Sequence, residues 1–246
     1  MAEAKKAGTD VISVEDQLAA MALAISEAEK PSGSWLSFKG ARLSLDGNAI
    51  PSNKLAVVVI QSLFENQWYK DPYDVNNIQP PHCFAFAEKE EDLKPHPSVK
   101  NPIHPTCKGC PKGEWKSATS GSGRGKACKN VRRMALISYD DVKDGKIENA
   151  HVAMAKIPVT SVKNWSTYAS QVSGILKMDP IQVATELSVE PHPKNQIEIG
   201  FKLLDKVDKS AWAALLNKRR DTTTLIYAPY DEPTEAAPAA PESKKY

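Results

Sequence analysis

Long apolar runs are missing from this chain of 246 residues: runs such as Leu55 to Ile60 fall far short of the roughly 20 residues that a membrane-spanning helix needs. The opening stretch, MAEAKKAGTD, has no apolar segment of the signal-peptide kind, so the sequence predicts a cytoplasmic protein with no membrane partner. Cysteine is scarce, at four residues, and a chain with 41% hydrophobic and 25% charged residues builds a core without covalent staples. Catalytic signatures are missing too: there is no H-E-x-x-H, no G-x-S-x-G and no dinucleotide-binding glycine fingerprint. Gly121 to Lys126 resembles a phosphate-binding loop only superficially, because Lys126 is followed by Ala127 and Cys128 where Ser or Thr is required. Asp71, Asp74, Asp140, Asp141 and Asp144 are carboxylates without a spacing that pairs them, and no catalytic residue is assigned.

What is present is concentrated in one stretch. Residues 107 to 133 read CKGCPKGEWKSATSGSGRGKACKNVRR and hold three of the four cysteines. Lys108, Lys112, Lys116, Arg124, Lys126, Lys129, Arg132 and Arg133 face only Glu114, a local net of +7 in a chain whose total is +2. So polar and glycine-rich a run buries too little apolar surface to order itself, and a long structureless loop is unusual in a compact domain. The sequence therefore predicts a clamp, with Cys83, Cys107, Cys110 and Cys128 as ligands of one metal ion. Zinc is the first expectation and a 4Fe–4S cluster the alternative, since both take four thiolates and Pro111 after Cys110 matches a step common in iron–sulfur cysteine runs. His82 and His104 stand as substitute ligands; disulfides would compete in an oxidising compartment.

Around this module the pattern predicts an α+β protein: an antiparallel β-sheet or OB-like barrel core with flanking helices and the cysteine-rich, metal-stabilised basic insertion. Residues 1–12 form a flexible lead, 13–157 a helix and β-rich core that carries the module (83–133), 158–230 a helix, hairpin and helix packed on it, and 231–246 a disordered tail. Leu18, Met21, Ala22 and Ile25 recur at helical spacing within 14–29. The β-branched run Val57 to Ile60 marks a central strand, and Cys83-Phe84-Ala85-Phe86 alternates, which sets the cysteine and the phenylalanines on opposite faces. Residues 133–139 and 147–157 form a hairpin across a turn at 140–146, 181–189 and 197–204 a second, 210–218 a last helix and 222–228 a strand.

A glycine-rich basic segment that includes Trp115 suits nucleic acid: cations track phosphates and an aromatic ring stacks on bases. The predicted contacts are Lys108, Lys112, Trp115, Lys116, Arg124, Lys126, Lys129, Arg132 and Arg133, with single-stranded DNA or RNA as partner. The pattern C-x2-C-P-x3-W, then G-K-x-C-K-x2-R-R entering a strand, resembles a segment of uncharacterised phage-encoded proteins linked to replication or single-stranded DNA. It covers Cys107, Cys110, Pro111, Trp115, Gly125, Lys126, Cys128, Lys129, Arg132 and Arg133. That resemblance implies a bacteriophage or mobile-element origin and the host cytoplasm; separately, the tail with Asp231, Glu232, Glu235 and Glu242 resembles the acidic tails by which single-strand binders recruit partners, with replication or recombination proteins as the expected partners. The expectation is a non-enzymatic single-strand binder, with an iron–sulfur nuclease or DNA-processing enzyme and a structural scaffold as alternatives.

Overall fold

The computed structural model describes residues 13, 14, 17, 18, 21, 34–72, 79–119 and 123–230. The chain divides into two units, Met1–Gly33 and Ser34–Tyr246. In the first, Val14, Gln17, Leu18 and Met21 are helical, and the Gln17 amide donates to the Ser13 carbonyl at 3.0 Å, as the helix expected over 14–29 requires. The remainder of that helix, the lead 1–12, the stretch from 73 to 78 and the tail 231–246 lie outside the described residues.

The second unit is built on β4 (Lys54–Trp68), whose β-branched centre is buried on both faces. It pairs antiparallel with β6 (Lys129–Ser138) along most of its length, with β8 (Val183–His192) beside its first half and with β5 (Cys83–Ala87) beside its second. Beyond β6 follow β7 (Ala153–Ile157), then β1 (Ser34–Ser37), β2 (Ser44–Leu45) and β3 (Asn48–Ala49); beyond β8 lies β9 (Gln196–Lys206). Among the described residues every strand pairing is antiparallel except β1 with β7. Since β8 pairs with β4, residues on either side of Pro158 share one sheet.

The strand order begins at β3 and ends at β9, and these edges do not join, so the OB-like closed barrel that was one expectation is replaced by an open half-barrel. Curling is visible in the core: Leu36 and Leu43 from one end of the order share a buried cluster with Val183, Leu187 and Ile199 from the other. Closure by further pairing is blocked at β9. There the Ile199 amide donates to the Ser161 hydroxyl at 2.9 Å and its carbonyl accepts from the Asn164 amide at 3.0 Å, so a helix occupies the edge that another strand would use.

That helix is α2 (Val159–Ile175), which buries Trp165, Tyr168 and Val172 at helical spacing. On the opposite face lie α1 (Tyr139–Lys143) and α3 (Trp212–Ile226), whose Val142, Leu215 and Ile226 join Val58, Ile60, Leu63, Phe84 and Phe86. Two sequence expectations are corrected here. The turn at 140–146 begins as α1, because the Ser138 hydroxyl caps the Asp140 amide at 3.2 Å and two acids occupy the first helical turn. The strand expected over 222–228 is the end of α3: the Thr222 and Thr223 hydroxyls donate back to the Lys218 and Arg219 carbonyls at 2.6 and 3.2 Å, which accommodates β-branched residues in a helix. Both hairpin pairings, β6 with β7 and β8 with β9, form as the sequence predicts.

A bulge between Val59 and Gln61 shifts the facing of the rest of β4. Past it, Phe64, Asn66 and Trp68 share a face with Cys83, Ala85, Ala87, Asn130 and Arg132, while Leu63, Glu65 and Gln67 face the other way with Phe84, Phe86 and Arg133.

Candidate nucleic-acid interface

The basic module begins on the first of these faces. Cys83 is the cross-strand partner of Trp68 on one side of β4, and Cys128 precedes Lys129, the partner of Gln67, on the other. The connecting chain returns over the same face: the Cys107 amide donates to the Leu93 carbonyl at 3.2 Å, and the Cys128 amide to the Lys112 carbonyl at 2.8 Å. Ala85, Ala87 and Leu93 pack with Phe64 and Cys107, so the thiols turn toward the sheet and the lysines away from it.

All four thiols line one small cavity of about 30 Å³, together with Asn66 and Trp68. Burial pushes the pKa of the Cys83 and Cys107 thiols up, and that of Cys128 to about 12, with the neighbouring sulfurs adding to the effect. Protonated thiols are small apolar groups, and those of Cys83, Cys107 and Cys128 border the space beneath the loop. The zinc or iron–sulfur expectation is corrected by this geometry: among the described residues no three His, Cys, Asp or Glu side chains are grouped so that they could hold a metal ion. All four cysteines are free, and neither His82 nor His104 completes a set.

Hydrogen bonds give the loop its shape instead. The Cys110 amide donates to the Cys107 carbonyl at 3.3 Å just before a short 3-10 turn at Pro111–Gly113, and the Gly113 amide donates to the Cys110 carbonyl at 2.8 Å across that turn. The Ser117 hydroxyl lies 2.9 Å from the Lys112 carbonyl and 2.6 Å from the Glu114 carbonyl, and accepts the Ala127 amide at 2.9 Å. One hydroxyl thus ties both arms of the module together, and Ala118 adds a bond to Gly125 at 3.1 Å. The expectation that so polar a run needs an external clamp overlooked how many of its backbone groups pair with each other.

Trp115 stands at the tip of this scaffold. The Ser117 amide closes a turn onto the Glu114 carbonyl at 3.3 Å, and Lys116 takes the left-handed φ of 70° that such a turn demands. Trp115 is consequently 72% exposed, with the Lys126 ammonium 5.6 Å from its ring centroid. At the root, Lys112 places its ammonium 5.0 Å from the Trp68 ring, whose edge meets His82 at 5.2 Å between centroids. Lys108, Lys116, Arg124 and Lys129 are exposed, while Lys112 and Lys126 are half-buried. Arg132 is half-buried too, its guanidinium stacked 3.5 Å from the Phe64 centroid and its charge close to Glu90.

Arg133 does not belong to this surface. Its side chain is 2% exposed on the opposite face, where it meets the fully buried Glu65 at 3.2 Å and donates to the carbonyls of Ile226 and Ala228 at 3.1 and 2.8 Å. It therefore closes the C-terminal end of α3 and is withdrawn from the predicted contacts. Tyr230, which follows that end, bonds through its hydroxyl to Glu65 and packs edge-on against Phe84 at 5.0 Å. Burial and the Glu65 carboxylate push its pKa far up. Lys156 completes the network 2.5 Å from the Tyr230 hydroxyl; burial lowers its pKa, with Glu65 opposing the shift.

Sequence reasoning missed Glu65, Lys156 and Tyr230. The available signal was Glu65 itself, since an acid within a strand of buried apolar residues requires a cationic partner.

No family model matches this chain, and no curated protein or solved structure shows significant similarity to it. Among the described residues, no helix is long and apolar enough to cross a membrane.

Proposed function

We propose that this protein binds single-stranded nucleic acid, DNA in the first instance, without catalysing a reaction on it. The observation that carries the reading is Trp115: a tryptophan held out at the tip of a hydrogen-bonded turn, 72% exposed, with the Lys126 ammonium beside its ring. A large aromatic ring in that position gains little from folding, whereas it offers a stacking platform to an unpaired base, worth about 1–3 kcal/mol per base. With Arg133 withdrawn, Lys108, Lys112, Lys116, Arg124, Lys126, Lys129 and Arg132 remain against Glu114, a net charge of +6 on the module. Such an excess favours a phosphate backbone. Unpaired bases are the preferred target because a stacking ring on a loop tip has no access to bases inside a duplex.

The reading places the protein in replication or recombination, where single strands are exposed. Competition binding tests it. A fluorescein-labelled oligothymidylate binds the wild-type protein, a duplex of equal length competes poorly, and Trp115→Ala weakens binding about tenfold or more. Equal competition by duplex, or an unaltered Trp115→Ala affinity, overturns single-strand stacking.

A further inference from the structure

Two exposed aromatic rings are left unexplained by the module. Trp35 is 36% exposed and Tyr69 is 39% exposed; Tyr69 lies just past the end of β4, and Trp35 lies in β1, in register with the middle of that strand through β7 and β6. Trp35 opposes Met154 in the β1–β7 ladder, and so shares a face with Lys156 and Arg133 rather than with the cysteines. The Lys156 ammonium lies 5.8 Å from the Trp35 centroid and 3.4 Å from the Gln67 side-chain oxygen. The same oxygen accepts the Tyr69 hydroxyl at 3.2 Å, so an ammonium and an amide bridge one ring to the other.

The charge under these rings favours an anion. Arg133 and Lys156 face the single carboxylate of Glu65, and the Arg133 guanidinium is itself 5.5 Å from the Trp35 ring. Lys70 is exposed immediately beyond Tyr69 and is followed by the exposed Asp71, so the net positive charge of the cluster comes from Arg133 and Lys156. The cluster lies across the end of β4 from the module, because Tyr69 follows Trp68, the ring that carries the Lys112 ammonium, and the Tyr69 hydroxyl meets Gln67 on the other face.

We infer that a single strand held at Trp115 continues past Trp68 and around the end of β4, where bases stack on Tyr69 and Trp35 while Lys70 and Lys156 meet phosphates. The inference rests on the single-strand reading above and adds a second stacking station on the opposite face of the sheet. It sets a longer site than the module alone would occupy.

Length dependence is the test, using oligothymidylates of about 4 and about 16 nucleotides, the span of known single-domain sites. Wild-type protein gains affinity with length. Trp35→Leu and Tyr69→Leu bind the short strand as wild type does and bind the long one about tenfold more weakly, with thermal melting as the check on folding. Using two variants on different elements keeps a folding defect in one from deciding the result. Variants that match wild type on both lengths, or lose equally on both while melting normally, overturn the second station and leave the module intact. Wild-type protein that binds neither length overturns the single-strand reading itself.

Discussion

Glu65 and Arg133 meet at 3.2 Å on neighbouring strands of the sheet, 0% and 2% exposed. Their contact does more than neutralise two charges. Arg133 also donates through Nη1 to the Ile226 carbonyl that ends α3 and to the Ala228 carbonyl just past it, and Glu65 takes up Tyr230, so one ion pair fastens the C-terminal end of α3 and the residues after it to the central strand.

Removing one partner of such a pair leaves the other charge buried and alone. Arg133→Ala is expected to cost about 3–5 kcal/mol, read from the shift of the urea denaturation midpoint, whereas Lys129→Ala, at the surface, costs within about 0.5 kcal/mol. Comparable small costs for both would show that Arg133 does not hold the fold.

The thiols predict a pH dependence. A folded-state pKa raised from an ordinary 9.0 to about 12 at Cys128 means that the folded form retains a proton which the unfolded form gives up. The stability this contributes is fully present below about pH 9 and is lost as pH rises toward 12. Alkylation of Cys128 by iodoacetamide is accordingly slow at neutral pH and accelerates with loosening of the module above pH 9. Rapid stoichiometric modification at pH 7 would contradict the burial of that thiol.

Ser117 is the hinge of the loop's internal bonding. Ser117→Ala removes the acceptor of the Ala127 amide and the donor to the Lys112 and Glu114 carbonyls, a local cost of about 1–3 kcal/mol. Hydrogen exchange at Ala127 is expected to speed up, nucleic-acid affinity to fall, and global stability to fall by no more than that local cost. Unchanged exchange would mean that other contacts set the turn which displays Trp115.

Much of this was legible in the sequence, for reasons visible in particular residues. Val57 to Ile60 announced the central strand because β-branched side chains buried on both faces suit little else. The alternation of Cys83, Phe84, Ala85 and Phe86 placed the phenylalanines in the core and the cysteine under the module, as observed. The convergence of four cysteines on one cavity was also readable from their positions at the ends of adjoining strands and in the loop between them. Their role was not, since a thiol packed as a small apolar group and a thiol bound to a metal look the same in a linear chain. Arg133 was misplaced because charge counting treats neighbours alike, while strand alternation sends Arg132 and Arg133 to opposite faces. The partners that claim Arg133 come from residue 65 and from residues 226 and 228, a convergence fixed only by the folded sheet.

The account stands most directly on the salt dependence of single-strand binding by the intact protein, followed by fluorescence anisotropy of a labelled oligothymidylate. Each phosphate neutralised on a single strand contributes about −0.7 to the slope of log affinity against log salt, so four to seven module cations give roughly −3 to −5. Affinity that falls along that slope, and a shallower slope for Lys126→Ala, is the predicted result. No binding at the lowest salt, or an affinity indifferent to salt, would contradict the claim that this cationic, tryptophan-tipped loop holds a phosphate backbone.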